Sequence, residues 1–175
     1  MVKVTIFGLA ATGKSTVSKI ICNDLNLEYM STGNMFRAEA DKRGLSVYEF
    51  DTLCKSDSKF DLELDNSVKV YGKNNDNFIF ESRLAWYFIP DSIKIKLDCD
   101  LDVRINRVIE RDGGDFDESK RLTLQREVDI TERYTKLYDL ANFADDSNYD
   151  YVIDTTCIGI DEVVRQVKEI ISENK

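Results

Sequence analysis

The sequence has 175 residues, 42% of them hydrophobic and 33% charged, which is typical of one globular domain and not of a disordered chain. Its 33 Asp and Glu outnumber its 24 Lys and Arg, for a formal net charge of −9. This balance argues against a broad nucleic-acid surface, because such a surface needs a basic face. The absence of His removes the usual general base of hydrolase triads and the commonest zinc ligand.

Cysteine usage and apolar patterning bear on the compartment. The four Cys form no CxxC pair, so we expect free thiols in a reducing environment. Residues 2–7 are too short for a signal peptide, and apolar runs such as residues 84–90 are too short to span a membrane. We therefore expect a cytoplasmic protein, acting as a monomer, that binds neither membranes nor nucleic acid.

Strand and helix patterns alternate from the start of the chain. Residues 2–7 are a β-branched run that predicts a strand, residues 15–25 have helical spacing, and residues 27–30 predict a second short strand. Three helices are then predicted, and the second of them is opened by a capping box of Ser46 and Glu49. These helices cover residues 34–42, 47–53 and 57–71.

The second half of the chain continues the alternation. Predicted strands cover residues 77–80, 93–98 and 151–154. Predicted helices cover residues 101–111, 118–140 and 161–173. Five strands separated by helices predict an α/β fold, in which a five-stranded parallel sheet is covered by helices on both faces. Ligands of such a sheet bind beyond the carboxyl ends of its strands.

The strongest motif is GLAATGKS at residues 8–15, which matches GxxxxGK[ST] and lies between a predicted strand and a predicted helix. The backbone amides of such a loop cradle phosphates, and the helix N-terminus adds positive potential. Lys14 would reach the outer phosphates as a catalytic residue, and the Ser15 hydroxyl would ligate Mg²⁺. The predicted ATP-binding residues are Gly8, Leu9, Ala10, Ala11, Thr12, Gly13, Lys14, Ser15 and Thr16.

Two further segments place charge at the same edge of the sheet. STGNMFR at residues 31–37 begins a helix that we expect Thr32 or Asn34 to cap, and it brings Arg37 towards the ligand. FIFESR at residues 78–83 is a strand that ends in an acid and an Arg. Its Glu would hold the water shell of Mg²⁺ and its Arg an acceptor phosphate, whereas the alternative is a surface ion pair between the two.

Arginine is concentrated late in the chain, where six of the ten Arg fall between residues 104 and 133, on two predicted helices that flank Gly113 and Gly114. Phosphoryl transfer needs positive charge around a loose transition state, and guanidinium groups supply bidentate donors for it. Acids in the same stretch leave surface ion-pair ladders as the competing interpretation.

The order of these motifs makes the chain similar to the nucleoside monophosphate kinase family, and most similar to small archaeal-type cytidylate kinases. That family has a P-loop followed by YxSxGxxFR, hhhEGRLA, an R-x₆-R lid helix with a following Tyr, and a terminal YDxVIxT strand. The corresponding residues here are 29–37, 78–85, 126–134 and 149–155. One departure is Ser82, which stands where the family usually has Gly.

The resemblance implies a role for each matching residue. Arg107, Arg126 and Arg133 would close over the transferring group as a lid and act with Lys14 in catalysis. Thr155 would border the ATP adenine, and Glu81 with Ser15 would serve the metal. The implied acceptor-binding residues are Ser31, Gly33, Arg37, Asp61, Asp65, Arg83 and Asp129.

The resemblance also implies how the chain is divided. We expect one P-loop kinase domain over residues 1–175, with an acceptor-binding helical insertion at residues 34–76 and a lid at residues 112–140. The core would comprise residues 1–33, 77–111 and 141–175.

The favoured function is transfer of the γ-phosphoryl group of ATP to CMP, with dCMP or UMP as possible acceptors and Mg²⁺ as cofactor. AMP or a non-nucleotide acceptor such as shikimate is the alternative within the kinases. A nucleotide-binding switch without turnover is the alternative outside them. A GTPase switch is disfavoured, because residues 98–100 (DCD) bear no resemblance to an NKxD guanine motif after the fourth strand.

Overall fold

The computed structural model describes residues 1–174, with the side chain of Tyr48 not described, so Lys175 of the predicted core lies outside the described residues. Five strands pair in parallel in the order β2-β3-β1-β4-β5, which confirms the predicted fold class. The strands are β1 (Lys3–Phe7), β2 (Glu28–Ser31), β3 (Phe78–Glu81), β4 (Ile93–Asp98) and β5 (Tyr151–Asp154).

Helices connect the strands and cover both faces of the sheet. They are α1 (Lys14–Leu25), α2 (Thr32–Lys42), α3 (Val47–Ser56), α4 (Lys59–Asn74), α5 (Ala85–Phe88), α6 (Leu101–Asp112), α7 (Phe116–Tyr138) and α8 (Ile160–Glu173). The single turn of α5 was not predicted, because four residues carry no periodic signal. The α7 helix begins two residues earlier than predicted, because Asp115 caps it by accepting from the amides of Asp117 and Glu118.

One face of the sheet packs against α1 and α8. The strand residues Val4, Ile6, Ile95 and Leu97 are fully buried there. Burial of this much aliphatic surface is the main source of stability that holds the strand ends in place.

The opposite face of the sheet carries an aromatic cluster. Phe7 stacks on Tyr149 with ring centroids 5.1 Å apart and meets Phe143 edge-on at 6.0 Å. Trp86, on α5, contacts Tyr149 with ring centroids 5.6 Å apart. Trp86 and Phe88 of α5 therefore pack against this cluster.

The α2, α3 and α4 helices have a small core of their own. Phe36, Phe50 and Phe60 contact one another with centroids 4.7–6.0 Å apart. The capping box of Ser46 and Glu49 at the start of α3 is confirmed, since both of its hydrogen bonds are present. These two hydrogen bonds explain why the spacing of Ser46 and Glu49 predicted the start of α3 correctly.

The predicted cap of α2 by Thr32 or Asn34 is wrong. Ser31 is the N-cap, and its hydroxyl accepts from the amide of Asn34 at 3.3 Å. Ser31 has extended backbone angles and Thr32 is already helical, so only Ser31 has the geometry that a cap requires.

Among residues 1–174, no helix has both the length and the apolar character required to cross a lipid bilayer.

Gly72 allows α4 to lie close against the segment after α5. A Cβ atom at this position would stand 2.5 Å from Cγ1 of Ile89, a fully buried side chain. We expect Gly72→Ala to lower the free energy of unfolding by roughly 1–2 kcal/mol, because overpacking outweighs the helix-propensity gain. Urea unfolding measures this change, with Gly33→Ala as control, since Gly33 is also helical and a Cβ there would meet its nearest atom at an ordinary 3.5 Å. Equal stability of the wild type and Gly72→Ala would contradict the packing described here.

Candidate active site

The P-loop turns sharply between β1 and α1. A Cβ atom on Gly8 would lie 2.3 Å from Oγ1 of Thr12, so this position requires glycine. Ala11 and Gly13 both have positive φ, at 64° and 90°. Backbone turns of this kind aim successive amides into one hollow, which is the geometry of an anion-binding loop. The strain of a left-handed Ala is a feature that ligand-binding loops often retain.

Lys14 lies at the centre of a group of positive charges. Its Nζ donates to the Leu9 carbonyl at 3.1 Å. The pKa of Lys14 is lowered to about 8, chiefly by burial. Glu81 opposes the lowering, and three guanidinium groups add to it: Arg37, Arg83 and Arg126. The structure therefore brings together four cations that the sequence places in four separate segments.

Glu81 is buried at the carboxyl end of β3 and serves two hydroxyl groups. Its Oε1 accepts from Ser15 at 2.9 Å, and its Oε2 accepts from Tyr29 at 2.7 Å. Burial and this carboxylate raise the pKa of Tyr29 to about 12. Within the described residues, Glu81 makes these bonds and not the ion pair with Arg83 that the sequence left open. Tyr29 was not among the candidate site residues, although it opens one of the family motifs.

The Ser15–Glu81 pair fits a magnesium ion. Hydroxyl and carboxylate oxygens are the ligands that Mg²⁺ prefers, and it is bound in such sites by few protein groups together with phosphates and water. No group of three or more Cys, Asp or Glu among the described residues forms a metal cage. Any ion held here would therefore depend on nucleotide oxygens for most of its coordination.

The predicted acceptor side begins at Ser31, whose hydroxyl is engaged as the α2 cap. Arg37 lies one turn into α2, exposed, and donates to Asn34 at 2.7 Å. Its guanidinium passes over Gly33, where a Cβ atom would approach Nη1 to 3.5 Å. Arg83 is half-buried beyond β3. Arg37 on α2 and Arg83 after β3 thus lie on separate segments near Lys14.

A cavity of about 40 Å³ lies between the P-loop and the α6–α7 pair. It is lined by Leu9 and Ala10, by the apolar side chains of Ile130 and Phe143, and by three arginines: Arg83, Arg111 and Arg126. Arg111, which also pairs with Asp112 at 2.6 Å, was not a candidate residue. Arg111 lies four residues after Arg107, and this spacing was the sequence signal that pointed to it. The two side chains nevertheless differ in position, because Arg111 lines the cavity and Arg107 contacts the P-loop backbone.

Arg107 contacts the backbone of the P-loop. Its Nη1 donates to the Ala11 carbonyl at 3.2 Å and its Nη2 to the Thr155 carbonyl at 3.0 Å. These bonds hold the side chain against the P-loop, and the lid role implied for Arg107 stays a prediction. Thr155 is buried, with its hydroxyl within hydrogen-bond distance of the Thr12 and Asp98 carbonyls.

Arg133 joins α7 to the α3–α4 pair through two ion pairs. Its Nη2 contacts Asp51 at 2.8 Å and its Nη1 contacts Asp61 at 3.1 Å, and all three side chains are nearly buried. Burial raises the pKa of Asp61 although Arg133 opposes this. Among the described residues, two buried atoms at this contact, Oδ2 of Asp61 and Nε of Arg133, have no hydrogen-bond partner. Buried polar groups are ordinarily paired, and a bound ligand or water is one way in which such atoms gain a partner. Asp51 was missed, because nothing in its sequence neighbourhood marks it.

The remaining two candidates connect helices. Asp65 accepts from the Tyr138 hydroxyl at 2.6 Å, and burial raises its pKa to about 6. Asp129 accepts from Lys55 at 2.5 Å and from Gln125 at 3.0 Å. Asp65 thus joins α4 to α7, and Asp129 joins α3 to α7.

Known proteins resemble this chain in sequence and in fold. Residues 3–157 match the model of the cytidylate kinase-like family. A cytidylate kinase of Methanosarcina mazei is 37% identical over 157 residues, covering 87% of this chain and 87% of that protein. A cytidylate kinase of Methanococcoides burtonii is 34% identical over 152 residues, covering 87% and 86%.

A solved structure extends the comparison to the fold alone. Shikimate kinase from Bacteroides thetaiotaomicron superposes with a TM-score of 0.67 at 15% identity, over 98% of each chain. At that identity only the architecture is informative, and it agrees with the P-loop kinase fold described above. The family match and the two cytidylate kinase relatives are more specific, and this chain belongs to the cytidylate kinase-like family.

Proposed function

We propose that this chain is a cytidylate kinase, which transfers the γ-phosphoryl group of ATP to CMP or dCMP. The observation that carries the proposal is the convergence of Lys14, Arg37, Arg83 and Arg126 on one P-loop. One bound nucleoside triphosphate does not need cations on two sides of the P-loop, whereas two bound substrates that each carry phosphate do. The cytidylate kinase relatives support the nucleotide identity.

In this proposal the P-loop amides and Lys14 hold the β- and γ-phosphates of ATP. Ser15 and Glu81 would hold Mg²⁺, which when bound neutralises charge that develops on the phosphate oxygens. Tyr29 keeps the Glu81 carboxylate oriented towards Ser15 through its 2.7 Å hydrogen bond. The loop, the lysine and the carboxylate therefore form the donor half of the site.

Arg37 and Arg83 form the acceptor half. They would bind the monophosphate of CMP so that one of its oxygens lies in line with the γ-phosphorus. The new bond forms between that oxygen and the γ-phosphorus while the bond to the β,γ-bridging oxygen breaks, and ADP leaves with the electron pair. Arg126, on α7, would stabilise the equatorial oxygens and thereby act as a lid residue.

The unpaired atoms of Asp61 and Arg133 support recognition of the base. Asp61 Oδ2 accepts and Arg133 Nε donates, and neither atom has a partner among the described residues. Cytosine presents an exocyclic amino donor beside ring acceptors, which complements this pair, whereas uracil would place a carbonyl against the carboxylate. Adenine shares the amino pattern, so the cytidylate kinase relatives, not the hydrogen bonds, favour cytosine.

The proposal also covers the oligomeric state of the enzyme and its cellular compartment. Donor loop, acceptor arginines and the α7 arginine all come from one chain, which supports a monomer. Four free cysteines support a reducing compartment such as the cytoplasm.

The acceptor is tested by ADP release with ATP and Mg²⁺ across CMP, dCMP, UMP, AMP, GMP and shikimate. We expect kcat/KM for CMP to exceed that for UMP by about 100-fold or more, because a mismatched base leaves buried polar groups unpaired. Fastest turnover with shikimate or AMP would overturn the cytidylate assignment. ADP release that is equal with and without every acceptor would overturn the kinase itself.

Removal of an acceptor arginine should weaken the binding of CMP and leave the binding of ATP nearly unchanged. We expect Arg37→Ala to raise KM for CMP about tenfold or more while KM for ATP changes less than about twofold, since a charge-assisted bond to the acceptor is lost. Steady-state kinetics with each substrate varied in turn measure this. Lys42→Ala on the same helix, at a side chain that is 75% exposed, is the matched control and should behave as wild type. Equal damage to both substrates would argue against a separate acceptor site.

A further inference from the structure

Arg104 is a buried arginine for which the mechanism above has no use. It lies on α6 with only 5% of its surface exposed. Its Nε donates to the Cys99 carbonyl at 3.3 Å, and its Nη1 reaches both the Ala10 carbonyl at 3.4 Å and Oε1 of Glu127 at 2.8 Å. One side chain thus contacts the end of β4, the P-loop and α7.

These contacts complement the shape of the P-loop. Arg104 and Arg107 bind the carbonyls of the consecutive residues Ala10 and Ala11. A loop whose amides turn inward towards phosphate must turn carbonyls outward, and those carbonyls need donors. The two arginines supply the donors from behind the loop.

The partner of Arg104 on α7 stands next to the residue assigned to the transferring group. Glu127 directly follows Arg126, and both line the cavity together with Ala10. One partly buried ion pair therefore links the P-loop at Ala10 to the backbone that carries Arg126. Burying a guanidinium is costly unless it is paired, so this arrangement is tightly specified.

We propose that Arg104 is a positioning residue that couples the P-loop to α7, so that binding of the ATP phosphates sets Arg126 over the transferring phosphoryl group. The inference rests on the proposed kinase function for its kinetic consequence but not for its structural one. General attachment of α7 to α6 has another source, because Lys120 and Asp102 join the same two helices at the exposed surface, 2.7 Å apart.

Glu127→Gln separates the coupling from the P-loop contact, because it weakens the α7 side of the bridge and leaves the Arg104 bond to Ala10 in place. With ATP and CMP, we expect kcat to fall about tenfold or more with KM for ATP changed less than about threefold, since misplacement of a catalytic group costs rate and not binding. Arg104→Lys, which cannot make both bonds, should in addition raise KM for ATP. Lys120→Ala is the matched control and should leave both constants unchanged.

Amide exchange of residues 116–138 gives a readout that needs no turnover. A non-hydrolysable ATP analogue should slow exchange of this segment in the wild type and in Lys120→Ala, but much less in Glu127→Gln at saturating analogue. Equal protection and equal kcat in wild type and Glu127→Gln would overturn the coupling. If the wild type fails to phosphorylate CMP yet shows this pattern of protection, the proposed function is wrong and the coupling stands.

Discussion

Mutual repulsion among Lys14, Arg37, Arg83 and Arg126 is the constraint on which the site depends. These four cations converge on one loop of a protein whose net charge is −9, and burial together with their repulsion lowers the pKa of Lys14 to about 8. At Lys14 the Glu81 carboxylate opposes this lowering of the pKa. Four neighbouring cations raise the electrostatic free energy of the ligand-free protein, and bound phosphates lower it. The charge pattern therefore favours polyanionic substrates.

The fold and the P-loop were predictable because each has a strong local signal. Strands β4 and β5 were predicted to the residue, since β-branched runs bounded by polar residues are clear in the sequence. The P-loop motif specified the cradle through Gly8, which no larger residue can replace beside Thr12. The short α5 helix and the Ser31 cap were missed, because one depends on tertiary packing and the other on a backbone angle.

The sequence allowed the charged residues of the site to be predicted, but not which residues each of them would contact. Arg107 and Arg133 both follow family spacing, yet one fixes the P-loop and the other is held by Asp51 and Asp61. Partner choice across α3, α4 and α7 depends on how helices distant in sequence pack, and no local pattern encodes it. Asp51 and Arg104 illustrate this most clearly, since burial is what distinguishes them from ordinary surface charges.

The titration of Lys14 tests the account most directly. In protein labelled with ¹³C-lysine, with Lys14→Arg to assign the signal, we predict a pKa of about 8 in the free protein, well below the ordinary 10.5. A bisubstrate analogue that links ATP to CMP should raise this pKa, because bound phosphates favour the charged amine. Affinity for the analogue should accordingly fall as the pH rises through 8. A pKa near 10.5 in the free protein that the analogue leaves unchanged would contradict the claim that these cations share one phosphate site.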